Sequence, residues 1–203
     1  MRQVVRLMTF AGTTLITKKQ TENLKMKIYK HTHHALALPS LICPYDGVRF
    51  NISFNNTARY ETKEVENQLD WNKLFGFTIG MFPSFKGGFK PPVHWNSVRF
   101  GWRYNPLHDT IEVCPYIYKD GVVFYYGKEM YLPIVELDFG KVYKFSLVMN
   151  LRGIVHFDID FERENLLNYW MQYEKSDLGW MSWPYFGGDE TAPHTIDIDF
   201  EYV

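Results

Sequence analysis

The 203-residue sequence contains no apolar run long enough to cross a bilayer as a helix, which takes about 20 residues. It has two cysteines, Cys43 and Cys114, too few for a disulfide framework. The two could pair in an exported chain; the preferred expectation is that they are small buried apolar residues. Net charge is −1, so the basic excess that phosphate neutralisation demands is missing, and nucleic acid is excluded as the main partner. There is no glycine-rich phosphate loop, nucleophile elbow, Cys–His signature or 20–50-residue repeat. Helical periodicity is nearly absent as well. The one helical candidate is RENLLNYWMQYEK at 163–175, whose Trp and Tyr suit a strand equally well.

The start, MRQVVRLMTFAGTTLI, has the early Arg and apolar stretch of a signal peptide. Arg6 interrupts the apolar part, and KKQTENLK follows in place of a small-residue cleavage site, so no signal peptide is expected. Met26 precedes a strand-like KIYKHTHHALAL. The expected organisation is therefore residues 1–25 as an extension or first strand, and 26–203 as a single domain, either cytoplasmic or associated with a virion or cell surface.

What the chain has in quantity is aromatics, 18% of residues, and these favour strands and stacking surfaces. Apolar and polar residues alternate over 47–54, 98–104, 110–118, 121–126, 141–149, 153–162 and 194–203, the period-two signature of half-buried strands. Asp46-Gly47 and Lys119-Asp120-Gly121 carry hairpin chemistry, while Gly87-Gly88 and Asn105-Pro106 mark loops. The expectation is an all-β, antiparallel two-sheet β-sandwich. Lys and Arg crowd the first thirty residues and acids crowd the segment after Phe157. Opposite charges attract across neighbouring strands, so the final strand HTIDIDFEYV is expected beside one from the N-terminal third.

The string DIDFE occurs at 158–162 and at 197–201. Alternate strand residues face one way, so Asp158, Asp160 and Glu162 are expected on one face, as are Asp197, Asp199 and Glu201. These ladders are read as solvated strand faces. No cofactor is expected. Calcium held by such aspartates with Asp177, Asp189 and Glu190 is the cation reading, but no EF-hand spacing supports it. HTHH at 31–34 invites zinc, with His31 and His33 on one strand face. A structural site needs four ligands and the other histidines are scattered, so a surface cluster is expected.

Four blocks recur in order: NKLFGF (72–77), HWNSVRFGWR (94–103), YIYKDG (116–121) and PYFGGDETAPH (184–194). In these blocks, over about 150 residues, the chain resembles a poorly characterised family of small β-proteins from gut-type Bacteroidetes and their phages. The resemblance implies a jelly-roll sandwich similar to concanavalin A-like lectins and glucanases. HFDIDFERE also resembles the Glu-x-Asp-x-(x)-Glu strand of laminarinase-like retaining glycosidases, which would make Asp158, Asp160 and Glu162 catalytic. It departs where it matters, because Asp158 stands in the nucleophile position and is one methylene short for a carboxyl separation of about 5–5.5 Å.

In HWNSVRFGWR, Ser97, Arg99, Gly101 and Arg103 share one face, with the glycine permitting close approach. Together with His94, Trp95 and Asn96, the two guanidinium groups are expected to cradle a polar or acidic ligand; otherwise they pair with acids of an adjoining strand. In PYFGGDETAPH, Tyr185 and Phe186 are expected to pack and Glu190 or Thr191 to satisfy loop amides; the functional alternative is a rim cluster of Asp189, Glu190 and His194. The abundance of Trp (71, 95, 102, 170, 180 and 183) adds stacking surfaces. The expected function is a non-catalytic β-sandwich that binds a glycan or a partner protein, with no membrane span; the alternative is a laminarinase-like hydrolase.

Overall fold

A computed structural model describes residues 23–203 apart from 38–39, 86–87, 90, 127–128 and 131. The signal-like start and most of the 1–25 extension lie outside the described residues, as does Gly87 of the expected Gly87-Gly88 loop.

The chain forms two sheets. The smaller has six strands in the order β1 (Asn23–Ile28), β14 (Ile196–Tyr202), β3 (Val48–Phe54), β10 (Tyr143–Met149), β11 (Ile154–Phe161) and β12 (Glu164–Gln172). The larger runs β2 (Ser40–Ile42), β13 (Gly179–Ser182), β4 (Asn72–Thr78), β5 (Ser97–Asn105), β6 (Thr110–Lys119), β7 (Val122–Tyr126) and β8 (Glu129–Met130), with β9 (Val135–Leu137) also paired to β6. All pairings are antiparallel except the short parallel one between β7 and β8. Among the described residues there is no α-helix, only three 3-10 turns, and the helical candidate at 163–175 is largely β12. This is the expected all-β two-sheet sandwich.

Alternation decides which side chains enter the core. Phe50, Phe75, Phe100, Phe145, Phe157 and Phe200, drawn from both sheets, are all at most 1% exposed. Their rings meet at 5.0–5.3 Å, edge-on for Phe50–Phe75, Phe50–Phe200, Phe100–Phe145 and Phe100–Phe157, and tilted for Phe75–Phe100. The last strand lies between β1 and β3, as the opposed charges imply: Lys25 faces Asp199, Lys27 faces Asp197, and Lys27 reaches Asp197 at 3.3 Å.

Turn chemistry holds at one site and not at another. Asp120 (φ 52°) and Gly121 (φ 77°) form the two-residue loop between Lys119 and Val122, with the paired positive φ of a type I′ hairpin. Asp46-Gly47 does not close a hairpin. It carries the chain from β2 in the larger sheet to β3 in the smaller. Gly47 has φ 64°, and a Cβ there would lie 2.4 Å from Val148 Cγ2, so glycine is required by a crossover rather than a hairpin.

Candidate ligand site on the outer face of the larger sheet

Both DIDFE copies lie on the outer face of the smaller sheet. Phe157, Ile159, Ile196, Ile198 and Phe200 point inward, while Asp158, Asp160, Asp197, Asp199 and Glu201 are half-buried on the solvent side. The acids sit among polar neighbours: Asp158 accepts from Asn168 at 2.7 Å, Asp160 from Asn165 at 2.8 Å and Glu201 from Asn51 at 3.1 Å. Burial, first of all, raises the Asp158 pKa from its ordinary value, and the Asn168 bond opposes it. Glu162 departs from the expected ladder. β11 ends at Phe161, and Glu162 occupies the turn into β12 with φ 54°. With Arg163 it forms the two-residue loop between the paired Phe161 and Glu164, where the strand's alternation no longer applies. Asp160 and Glu162 border an open depression of about 450 Å³ with Lys144 and Asn51.

The HTHH segment is not a strand either. β1 ends at Ile28 and His31 sits in a turn with φ 63°. His33 Nδ1 contacts the Phe186 carbonyl oxygen at 2.9 Å, and its ring stacks on Tyr185 at 5.2 Å. Among the described residues no group of three or more His, Cys, Asp or Glu stands ready to hold a metal ion. Cys114 is buried and Cys43 half-buried, and no disulfide joins them.

The PYFGGDETAPH corner is structural in its contacts. Phe186 is 2% exposed. Glu190 accepts hydrogen bonds from the backbone N–H groups of Lys63 and Glu64 and from Asn67 Nδ2, at 2.8–2.9 Å, and these bonds hold its carboxyl below the usual range. His194 Nε2 lies 2.8 Å from the Thr57 carbonyl oxygen. Glu190 and His194 are thus engaged with the loops they brace.

On the larger sheet, Val98, Phe100 and Trp102 of β5 enter the core, which leaves Ser97, Arg99, Gly101 and Arg103 on the opposite face. The five residues expected to form a cradle divide. Asn96 Oδ1 accepts from the Asp120 N–H at 2.8 Å and the Trp95 carbonyl accepts from Gly121 at 2.9 Å, so both brace the β6–β7 hairpin. Arg103 pairs with its register neighbour Glu112 at 2.5 Å, donates to the Leu69 carbonyl at 2.7 Å and lies 4.3 Å over the Trp71 ring. It is the adjoining-strand ion pair, although its acid lies on β6 and not in a DIDFE ladder.

Arg99 is different. It is 6% exposed, yet its Nε and Nη2 have no hydrogen-bond partner, and among the described residues no carboxylate lies within ion-pair distance. Its guanidinium lies 5.3 Å from the Tyr116 ring and 5.7 Å from the Tyr118 ring. Tyr118 also meets the His94 ring at 5.3 Å, so His94 and Arg99 are brought together around it. Burial lowers the Arg99 pKa, opposed by the surrounding Tyr116, Tyr118, Tyr185 and Tyr173. The stem fits because β4 presents Gly76 opposite: a Cβ there would be 2.7 Å from Arg99 Cγ and 2.0 Å from the Val98 carbonyl oxygen.

A second cation shares the patch. Lys73 Nζ donates to the Trp71 carbonyl at 2.8 Å and stands 4.7 Å from the Tyr116 ring and 5.7 Å from the Tyr185 ring. Its pKa falls to about 8, first by burial and then by the charge of Arg99, with Asp70 pulling the other way. Tyr116 stacks on Tyr125 at 5.2 Å, and burial pushes its hydroxyl far above the usual range. Gly101 makes the floor: a Cβ there would meet Trp71 Cε3 and Tyr116 Cβ at 3.3 Å, tighter than ordinary contact. The result is an aromatic cluster outside the core, built from Trp71, Tyr116, Tyr118 and Tyr125 and holding two cations.

Lys73, Tyr116 and Tyr118 were not singled out from the sequence, and Tyr185 was expected only to pack. The tyrosines had a signal, since Tyr116 and Tyr118 alternate with Ile117 and so share the outer face with Cys114. Lys73 had none. The chain matches no protein-family model, and no curated protein matches it.

Of the tryptophans, Trp102 is fully buried in the core and Trp71 is 5% exposed within the outer cluster, whereas Trp170 on β12 is 59% exposed. Trp95, Trp180 and Trp183 are half-buried.

Proposed function

We propose that this β-sandwich is a non-catalytic glycan-binding protein whose site is the outer face of the larger sheet around Lys73, Arg99, Tyr116, Tyr118 and Tyr185. The observation that carries the reading is the aromatic cluster on that face. Sheet stability does not call for a second set of rings outside the core, and planar rings beside fixed donors are what sugar recognition uses, with stacking on the apolar ring face and hydrogen bonds to hydroxyls. His94 at the Tyr118 edge extends the same surface. Kinship with concanavalin A-like lectins, a jelly-roll winding and a cell-surface or virion setting belong to this proposal as well.

The non-catalytic half of the reading draws support from the smaller sheet. Asp158 and Asp160 are each tied to an asparagine, and Glu162 sits in a left-handed turn outside their ladder. A retaining pair needs two carboxyls held about 5–5.5 Å apart across a scissile bond. Asp158 and Asp160 share one strand face, but each is engaged by an asparagine, and Glu162 lies off that face.

A glycan array probed with the wild type and with a Tyr118→Ala, Tyr185→Ala double variant tests the reading. Wild-type signal on a defined set of glycans that the double variant loses, with an unchanged far-UV circular dichroism spectrum, is expected. A silent wild type, or binding untouched by the two substitutions, contradicts it.

A further inference from the structure

Resting on that glycan-binding reading, we infer that the sugar recognised on this face carries a carboxylate, as in a hexuronic acid, seated against the Nε–Nη2 edge of Arg99 and beside the Lys73 ammonium.

The argument begins with an imbalance of charge. A cation removed from water is costly unless an anion or a full set of acceptors replaces the lost hydration. Arg103 has such compensation in Glu112 and the Leu69 carbonyl. Four residues earlier on the same strand face, Arg99 is more deeply buried, lies beside tyrosine rings and, among the described residues, has no acid within ion-pair distance. Cation–π contacts offset only part of what desolvating an ion costs. Lys73 adds a second positive charge to the same patch, with Asp70 beyond ion-pair distance. Asp70 offsets the charge of half-buried Lys73 in part, whereas none of the described acids lies within ion-pair distance of buried Arg99, and unsatisfied buried donors in a native protein call for an explanation.

The orientation of the two unpartnered donors narrows the ligand. Nε–H and Nη2–H project from the same edge of a guanidinium, parallel and spaced to match the two oxygens of one carboxylate. They are the two Arg99 nitrogens without partners. Lys73, a compact point charge, can accept any oxyanion geometry nearby. The carboxylate at C5 of a uronic acid is coplanar enough with its ring for the sugar to lie along the tyrosines while its acid meets the fork. Gly76 and Gly187 make room for the two cations themselves. A Cβ at Gly187 would stand 2.6 Å from Lys73 Nζ, as one at Gly76 would crowd the Arg99 stem.

Isothermal titration of the full chain with a panel of uronate-containing oligosaccharides, their carboxyl-reduced neutral counterparts and inorganic phosphate tests this inference. At least one acidic oligosaccharide is expected to bind. Its affinity should fall tenfold or more on carboxyl reduction, in Arg99→Met and in Arg99→Lys, which keeps the charge and removes the fork. Lys73→Gln should weaken it severalfold. If a neutral oligosaccharide binds as tightly as its acidic parent, or Arg99→Lys binds normally, the carboxylate assignment is overturned while glycan binding stands. Phosphate binding as tightly as the acidic oligosaccharide also overturns the assignment. If no oligosaccharide binds, the glycan reading and this inference fall together.

Discussion

Arg99 and Arg103 are four residues apart, identical in type and on one strand face, yet they differ in their partners. Arg103 is held by Glu112 at its register position, whereas Arg99 faces Tyr116 across β6 and finds no acid. Even a complete buried ion pair can be replaced by apolar groups of similar size with no loss or a gain of about 1–4 kcal/mol, and a buried cation without an acid repays less of its desolvation cost than such a pair. Arg99→Met is therefore expected to leave chemical-denaturation stability unchanged or raise it, while Arg103→Met, which strands Glu112, should lower it by about 3–5 kcal/mol, the usual result of breaking a buried pair. A stability loss in Arg99→Met as large as that in Arg103→Met would show that Arg99 is a structural cation.

Lys73 adds a pH dependence. It is faced by Arg99, Asp70, Tyr116 and Tyr185, and its pKa is about 8 in the fold against an ordinary 10.5. The folded chain loses this proton first. Between about pH 8 and 10.5 the unfolded chain binds more protons, so the Lys73 contribution to stability rises with pH across that window. Anion affinity runs the other way and should weaken as pH climbs through 8. Titrations at pH 7 and pH 9.5 check this, and the decline should be absent in Lys73→Met; an equally steep decline in that variant would assign it to another group.

At the scale of the element, most strands were legible because one face of each is apolar and the other polar, as in β3, β10, β11 and β14. β4 was not. Its ladder to β5 shifts between Lys73 and Gly76, so that Leu74 and Phe75 are both core residues and period two fails. The same irregularity puts Lys73 on the outer face, which explains why no sequence pattern pointed to it. Asp46-Gly47 was misleading for a related reason: glycine reports a left-handed backbone, not which sheet the next strand joins.

Glu162 was placed on a ladder because the alternation runs through it unbroken, whereas the chain turns one residue earlier. Its left-handed backbone costs about 1–2 kcal/mol, and glycine would add back about 0.4–1 kcal/mol of unfolded-chain entropy. Glu162→Gly is accordingly expected to stabilise by roughly 0.5–1 kcal/mol in denaturant titration. Asp158→Asn and Asp160→Asn, which keep the asparagine contacts within reach, should each stay within about 0.5 kcal/mol of wild type. A loss above 1 kcal/mol in either would mean the outer face of the smaller sheet is more than a solvated surface.

Over the described residues, part of the charge asymmetry falls in one pairing, β1 against β14, with Lys25 opposite Asp199 and Lys27 in contact with Asp197. That was readable in the sequence, and so was the two-sheet class. The proposed ligand face was half readable: the HWNSVRFGWR block pointed to the strand and the side that carry Arg99. It could not show that β6 sets an acid opposite Arg103 and a tyrosine opposite Arg99, because register is a property of two strands and not of one.

The central claim is that buried, uncompensated Arg99 is a ligand site. It is tested most directly by the melting temperature of wild type and Arg99→Met, each with and without the acidic oligosaccharide at saturating concentration. A ligand at 100 times its Kd stabilises by about 2.7 kcal/mol, which for a domain of this size is a rise of roughly 5–10 °C. The account predicts that rise in wild type and none in Arg99→Met, whose own melting temperature without ligand is equal to or above that of wild type. An equal rise in both proteins, or an Arg99→Met variant that melts well below wild type and leaves no ligand-dependent difference between them, would contradict it.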